Sequence, residues 1–328
     1  MYRSSKRVRT SCLIAAAIAA APCAHAQNYP AKPIRIIAAQ SAGGGTDLFA
    51  RLLGQKISEN WKQPVIIENR PGAGGTIGND IAAKSAPDGY TLILATAGQM
   101  VINQNLYPDS GYDPLKQLFP IALFATSPLV LVTHPSVPAQ SVQALVALAK
   151  SKPNRLNHGS GGNGSPAHLA AELFKSLTHT QMTHVPFKGV APSVTAVIAG
   201  QIDVTFASVA AVLPQVKAAR LRALAVSTPK RSQIVPELPT VAESGVPGYD
   251  VTTWFGLFGP MAMPNDIVAK LNAEVIRVLA LPDVRERLFN EGAETSRLTV
   301  DEFNTFVRAD AARWAQVIKS AGIKAEPL

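Results

Sequence analysis

Residues Ile34-Arg35-Ile36-Ile37-Ala38-Ala39, followed at once by Gln40-Ser41-Ala42-Gly43-Gly44-Gly45-Thr46-Asp47, decide the fold. The first six form a short apolar run of strand length. The three glycines end it, and residues 46–60 then carry the spacing of an amphipathic helix. The same order of strand, glycine-rich loop and helix recurs twice. Residues 64–68 lead through Asn69-Arg70-Pro71-Gly72-Ala73-Gly74-Gly75-Thr76 into a helix over 75–84. Residues 155–158 lead through Gly159-Ser160-Gly161-Gly162-Asn163-Gly164-Ser165 into a helix over 166–177, with Ser165 as N-cap and Pro166 in the first turn. Further strands are predicted at 91–95, 183–186, 204–207 and 222–226, and a helix at 141–150 with Ser141 as N-cap. Residues 121–133 read as a strand interrupted by Pro128, where the chain is expected to break or cross. This βαβα rhythm predicts an α/β protein with parallel sheets covered by helices on both faces. After Thr228 the rhythm gives way to a proline- and glycine-rich connection, a strand at 254–258 and three closing helices at 264–280, 282–290 and 300–321.

The first 26 residues read as a secretory leader. Arg3, Lys6, Arg7 and Arg9 precede an alanine-rich apolar run, and Ala24-His25-Ala26 supplies the small-x-small pattern for cleavage before Gln27. The apolar run is shorter than the roughly 20 residues a spanning helix needs. Pro22 and Ala20 depart from a lipoprotein signal around Cys23, and Lys6-Arg7 is not a twin arginine. Both cysteines, Cys12 and Cys23, leave with this segment, so no disulfide, thiol nucleophile or cysteine metal site is expected in the processed chain. About 300 residues remain, enough for two lobes held by their cores alone. The formal charge of +9 falls with the four leader cations to 27 basic against 22 acidic residues, a net +5. These charges are scattered, without the clustered basic stripe and aromatic platforms that nucleic-acid binding requires.

In parallel sheets ligands bind at the carboxyl ends of strands, where helix N-termini present unpaired N–H groups and a partial positive charge. All three glycine-rich loops occupy such junctions. Their glycines admit close backbone approach, and Ser41, Thr46, Ser160 and Ser165 add hydroxyls. Arg70, before a proline in a turn, either meets an anion or braces Glu68. A carboxylate held by such donors needs no lysine or arginine.

Motifs of other chemistries are missing or incomplete. Gly159-Ser160-Gly161-Gly162-Asn163-Gly164 fits G-x-G-x-x-G, yet no acidic residue follows at the end of the next strand as a dinucleotide site demands. There is no Walker A loop, G-x-S-x-G elbow or H-E-x-x-H pair. His134, His158, His168, His179 and His184 form no i, i+4 ligand pair, so neither a metal nor a cofactor is expected. His168 and Trp254 read as structural residues with a lesser claim on the ligand.

The ordered set of these loops resembles the substrate-binding proteins of tripartite tricarboxylate transporters, the Bug family. The resemblance starts at Tyr29-Pro30-Ala31-Lys32-Pro33-Ile34 and runs through Gly43-Gly44-Gly45-Thr46-Asp47, Glu68-Asn69-Arg70-Pro71-Gly72 and Pro87-Asp88-Gly89-Tyr90-Thr91. It continues through His184-Val185-Pro186-Phe187-Lys188-Gly189, Gly200-Gln201-Ile202-Asp203 and Leu238-Pro239-Thr240-Val241-Ala242-Glu243-Ser244-Gly245. It implies a periplasmic binding protein of type II: lobe 1 over 27–125, lobe 2 over 126–249, and a return to lobe 1 over 250–328, with the ligand cleft between mainly parallel sheets. It also implies no catalysis and no obligatory metal, and delivery of a small carboxylate to membrane permease subunits; a monomer is expected because the cleft lies within one chain. Carried onto this chain, the carboxylate grip falls on Ser41, Gly44, Thr46, Gly74 and Gly75, in part through ordered water, with Thr96 at the end of the third strand. The opposite lobe adds Ser160, Ser165, Asp203 and Ser208. The chain departs from the family at Ala39-Gln40-Ser41-Ala42, where Pro-Phe or a similar pair is usual.

Asp203 keeps two readings: a partner for the ammonium of an amino-acid ligand, or a brace accepting backbone N–H groups at a strand start. Two other functions stay open beside transport. A secreted hydrolase would use Ser160 or Ser165, for which the sequence places no convincing neighbouring base. A sensor would present its closed form to a receptor kinase. The ligand class spans citrate-like tricarboxylates, C4–C6 dicarboxylates, acidic amino acids and aromatic carboxylates, with a lean toward ligands lacking an amino group.

Overall fold

A computed structural model describes residues 29–321 except 41, 44, 107–112 and 188. The leader over 1–26 and both cysteines lie outside the described residues. The predicted phrase of strand, loop and helix holds: β1 (Ile34–Ala38), α1 (Gly45–Trp61), β2 (Val65–Asn69), α2 (Thr76–Ala83) and β3 (Thr91–Thr96) follow one another. A single wide, π-type turn over Gly98–Ile102 and two short helical turns, Asn103–Leu106 and Pro114–Gln117, come next. Then follow β4 (Leu118–Thr133), α3 (Val142–Ser151), β5 (Asn157–Ser160), α4 (Pro166–Thr178), β6 (Thr183–Pro186), α5 (Val190–Ile198), β7 (Val204–Ser208), α6 (Val209–Lys217) and β8 (Arg222–Val226). After a long connection come β9 (Thr252–Pro260), α7 (Asn265–Ala280), α8 (Pro282–Asn290), β10 (Glu294–Thr295) and α9 (Val300–Ala321).

The strands run in the order β2-β1-β3-β9-β4-β7-β5-β6, with β8 and β10 each also pairing with β4. Only part of this is parallel, which corrects the expectation of mainly parallel sheets. β1 is parallel to β2 and β3, and β5 to β6 and β7. β9 is antiparallel to β3 and β4, and β4 to β7 and β8. The parallel βαβ units thus make the outer part of each half, and the strands that carry the chain across run against them.

β4 is the joint. Residues Leu118–Pro128 pair with β9, and Leu129–Thr133 pair with β7 and β8. The strand does not break at Pro128, as the sequence suggested; it changes partners there. Proline lacks the N–H for a ladder and is tolerated where pairing hands over. The next residue resumes it at once: Leu129 N donates to Ser227 Oγ at 2.9 Å, and Ser227 N to Leu129 O at 2.8 Å. Almost every residue of β4 is buried, which is why its sequence is a continuous apolar run and not an alternation.

The main core joins both halves. Ile93, Met100 and Val101 belong to the same packed cluster as Leu169, Phe174 and Phe206, and Trp254, Phe303, Val307 and Trp314 belong to it too. Helix α9 contributes the last three, and each large apolar side chain so buried contributes about 1.5–3 kcal/mol. Asn272 of α7 donates to Ile121 O at 2.8 Å, and Tyr249 Oη donates to Ala170 O at 2.9 Å, pinning the long connection to α4. Ser141 caps α3 as expected, accepting from Ala144 N at 3.1 Å.

Candidate functional site

A cleft of about 640 Å³ opens between the two halves. One wall comes from the ends of β1, β2 and β3: Ala39, Gln40 and Gly45, then Pro71, Gly72, Gly74 and Gly75, then Thr96 to Gln99 with Asn103. The facing wall comes from the end of β5 (Gly161 and residues 163–167), from Ser208 at the end of β7 and from Val190 at the start of α5. Ser127 and Leu129 of β4 and Thr253, Trp254 and Phe255 of β9 form the floor. Carboxyl ends of parallel strands therefore border the cleft from both sides.

The first loop is held from behind by Asp47. Its carboxylate accepts from Gly43 N at 2.9 Å and Asn69 Nδ2 at 3.0 Å, and pairs with Arg51 at 2.9 Å. Burial alone would raise this carboxyl's pKa; the bonds from Arg51, Gly43 and Asn69 outweigh it and hold the group below its ordinary value. Asn69 also donates to Gln40 O at 3.2 Å. Thr46, fully buried, donates its hydroxyl to Gln40 Oε1 at 2.8 Å. It does not line the cleft, so its predicted ligand contact becomes the orienting of Gln40. Ser41 and Gly44 lie outside the described residues.

The second loop turns on two left-handed glycines, Gly74 (φ 62°) and Gly75 (φ 97°), both lining the cleft. Asn103 Nδ2 donates to Gly74 O at 2.8 Å. Gln99 locks the neighbouring strand end: its Oε1 accepts from Thr96 N at 3.0 Å and its Nε2 donates to Ala39 O at 3.2 Å. Arg70 braces Glu68 with Nε–Oε1 at 2.7 Å and is not part of the lining.

In the third loop Ser165 caps α4, its Oγ accepting from His168 N at 3.3 Å, and it lines the cleft. Ser160 does not, because it is fully buried. Its Oγ accepts from Gly162 N at 3.1 Å and lies 2.7 Å from His184 Nε2. A base thus stands beside Ser160, where the sequence offered no convincing candidate, but Ser160 is fully buried and neither residue lines the cleft. His184, His168 and His158 form a stack, with ring centroids 4.0 and 4.8 Å apart. Gly164 N donates to His168 Nδ1 at 3.1 Å, which leaves the neutral ring its proton on Nε2, 3.5 Å from Glu172 Oε1. Burial and the two neighbouring imidazoles push His184 down to about 3. Glu172 is desolvated, yet His158, His168 and Lys175 hold its pKa far below the usual carboxylate range.

Asp203 also lies off the cleft. Its Oδ2 accepts from Asn157 N at 2.7 Å and its carbonyl from His134 N at 3.0 Å, so it splices β5 to the start of β7. This geometry is that of the second of its two readings, a brace accepting a backbone N–H at a strand start. Ser208 precedes α6, lines the cleft and makes no side-chain cap, so its hydroxyl is not consumed by the helix.

Of the ten residues singled out from sequence, Gly74, Gly75, Thr96, Ser165 and Ser208 converge on the cleft. Sequence reasoning passed over Gln40, Gln99, Asn103, Asn163 and Phe255. Asn163 sits inside the loop already quoted, and Gln99 and Asn103 follow directly on Thr96; the floor gave no polar signal. Among the described residues the lining contains no lysine, arginine, histidine, aspartate or glutamate. It does contain the starts of α1, α2 and α4, the π-type turn after β3, and Ser208 ahead of α6. Each helix start carries roughly half a positive charge, so the cleft favours anions without any cation.

Residues 49–323 match the family model for the tripartite tricarboxylate transporter family receptor. BugT of Bordetella pertussis is 36% identical over 312 residues, covering 95% of each chain. The solved structure of R. palustris Rpa4515 with adipate is 36% identical, with a TM-score of 0.79 over 90% of this chain and 99% of that one. MatC from Rhodopseudomonas palustris with bound malate is 33% identical, with a TM-score of 0.74 over 88% and 100%. The match spans more than half of the chain and its relatives along nearly their whole length, and the chain belongs to the tripartite tricarboxylate transporter receptors, the TctC or Bug family.

Proposed function

We propose that this protein is a periplasmic, monomeric solute receptor that closes two lobes over a small carboxylate and passes it to the membrane permease of a tripartite transporter. The observation that carries the reading is the meeting of several helix starts from both halves on a cleft without charged side chains. Such donors bind carboxylate through charge-assisted bonds of about 1.5–3 kcal/mol each. Three or four suffice for micromolar affinity, about −8 kcal/mol, after the entropy of capture. The adipate and malate bound to the two R. palustris relatives support the same class. Gly74, Gly75, Thr96, Ser165 and Ser208 are assigned to ligand contact, with Ser41 and Gly44 completing the first loop; Thr46, Ser160 and Asp203 brace it from behind. Lobe 1 comprises 27–125 and 250–328, lobe 2 comprises 126–249, and β4 with β9 forms the hinge. The leader over 1–26 addresses the chain to the periplasm, and among the described residues no helix is long and apolar enough to cross a membrane.

Catalysis by Ser160 is disfavoured because its hydroxyl is fully buried and neither it nor His184 lines the cleft. A panel of about a hundred carboxylates in a thermal-shift assay tests the reading. A true ligand at 100 times its Kd stabilises the fold by about 2.7 kcal/mol. Stabilisation by sugars, amines or metals alone would refute it.

A further inference from the structure

The connection after β8 passes behind the strand on which the two halves meet. Val251, just ahead of β9, donates its N–H to Ser227 O at 2.9 Å, so β8 ends on the edge of β4 that β9 occupies. β10 pairs with Thr126, which β9 pairs as well, and therefore takes the other edge. Residues 228–232 cross from the first edge to the second, where Ser232 meets Glu294 of β10. They cross over the face that carries Thr126 and Pro128, and with these two they enclose a cavity of about 190 Å³. Ser127 and Leu129, which alternate with them along the strand, line the ligand cleft. Neighbours in a strand face opposite ways, so residues 228–232 form a strap across the back of the hinge.

The strap is built into lobe 2. Arg231 Nε pairs with Glu243 at 2.9 Å, and Ile234, Val235 and Leu238 just beyond it pack with the core of β4 and α6. At its far end it is fastened to lobe 1. Glu294 Oε1 accepts from Ser232 Oγ at 2.6 Å and from Gln233 N at 2.9 Å. Ser232 is buried, and its Oγ also accepts from Ile234 N at 3.1 Å, so the hydroxyl is held in position for the carboxylate. Bonds to an ionised acceptor are short and strong for their kind. Neither Glu294 nor Ser232 lines the ligand cleft.

Closing a hinge brings together what lies in front of it and draws apart what lies behind. From the place of the strap we infer that Glu294 is a latch: its bonds to Ser232 and Gln233 hold the lobes apart, and closure over a ligand must release them. The inference rests on the two-lobed receptor reading above and adds a control on its affinity. A receptor whose closed form is a small fraction of the empty population binds its ligand more weakly by that fraction. The latch therefore sets affinity from the side of the hinge that the ligand never touches.

Small-angle scattering of the empty processed chain, and calorimetric titration with adipate and with malate, test this on three variants whose folding is checked in urea. Glu294→Ala should have a smaller radius of gyration than the wild type when empty, and should bind either probe about tenfold more tightly. Ser232→Ala keeps the bond from Gln233 N and should tighten binding by about threefold; it carries the test if Glu294→Ala does not fold. Glu294→Gln keeps the acceptor oxygen and should stay near the wild type. An empty alanine variant with the wild-type radius, or a folded one that binds more weakly than the wild type, would overturn the latch and leave the receptor standing. A smaller radius together with no binding of adipate, malate or any other carboxylate would leave the latch and overturn the receptor reading.

Discussion

Gly75→Ala measures how firmly Gln99 is built into the cleft wall. At φ 97° the backbone is left-handed, a conformation that costs an L-residue about 1–2 kcal/mol. An added Cβ would also stand 2.5 Å from Gln99 Nε2 and 2.7 Å from its Cδ and Cγ. Because Cγ is among those atoms, swinging the amide tip aside does not relieve the clash; the whole side chain must leave. With it go the bonds to Thr96 N and Ala39 O, together about 1–3 kcal/mol. The expected loss is therefore about 3 kcal/mol, read as unfolding free energy in urea. Gly43→Ala is the matched control: its φ is 82°, and its Cβ meets nothing within 4 Å among the described residues. It should lose only the left-handed share, about 1 kcal/mol. In a Gln99→Ala background the cost of Gly75→Ala should shrink to that same share, which a double-mutant cycle reports as coupling. Ligand affinity should fall at least about tenfold in Gly75→Ala, since Gly75 and the displaced Gln99 both line the cleft. Equal losses for the two glycine variants, or a Gly75→Ala cost indifferent to Gln99, would refute the reasoning.

Three other outcomes follow from the same contacts. Trp254→Phe removes the bond to the buried Asp310 carboxylate and should cost about 1.5–3 kcal/mol in urea unfolding; because the side chain is fully buried against Phe303 and Phe306, affinity should stay within about threefold, and a stability unchanged by the substitution would contradict the assignment. Ser160→Ala should destabilise by about 1 kcal/mol through loss of the Gly162 N–H acceptor, with no change in hydrolysis of a p-nitrophenyl ester; a wild-type esterase activity abolished by this variant would revive the hydrolase. Acid should unfold the protein in two stages. His184 titrates near 3 when folded and about 6.5 when unfolded, and His158 is lowered too, first by its burial. The unfolded chain therefore takes up protons first, and stability falls as pH drops through the window from about 6.5 to about 3. Glu172 and Asp47, both lowered carboxylates, add their losses only below about 4.5. Urea midpoints between pH 6.5 and 4.5 should thus lose slope in His184→Gln, and an unchanged slope would remove the imidazole stack from the acid response.

The three glycine-rich loops were legible because strand, glycine and helix cap each leave a separate mark in sequence. Ser141 and Ser165 announce α3 and α4 through capping chemistry that is local and needs no tertiary context. Strand direction was not legible: apolar runs read the same either way along a ladder, so nothing in sequence marked β4 and β9 as an antiparallel pair. Thr46, Ser160 and Asp203 show a second limit. A hydroxyl or carboxylate next to a binding loop has the same neighbours in sequence whether it turns toward the cleft or behind it. Only the third dimension shows Thr46 committed to Gln40 and Asp203 to Asn157. Gln99 lies on a π-type turn and Asn103 directly after it, a turn without a composition signal, and their reach to Ala39 and Gly74 crosses 60 and 29 residues.

The residues behind the loops bear on how the cleft works. A receptor that must release its ligand gains from donors fixed in place but weak one by one. An arginine in the cleft would bind carboxylate strongly, yet closing over it without ligand would bury an uncompensated charge. Backbone N–H groups carry only partial charges, so both empty and filled closure cost less. Such donors are useful only if they stay aimed. On lobe 1 that aim comes from Asp47, Asn69 and Gln99, which together bind Gly43, Gln40, Thr96 and Ala39. On lobe 2 it comes from Ser160 and His168, which bind Gly162 and Gly164. Each lobe thus uses polar side chains behind its loops, Asp47 and His168 among them, to hold the backbone that carries the neutral donors. That division accounts for a cleft built to take anions whose own lining carries no ionisable side chain.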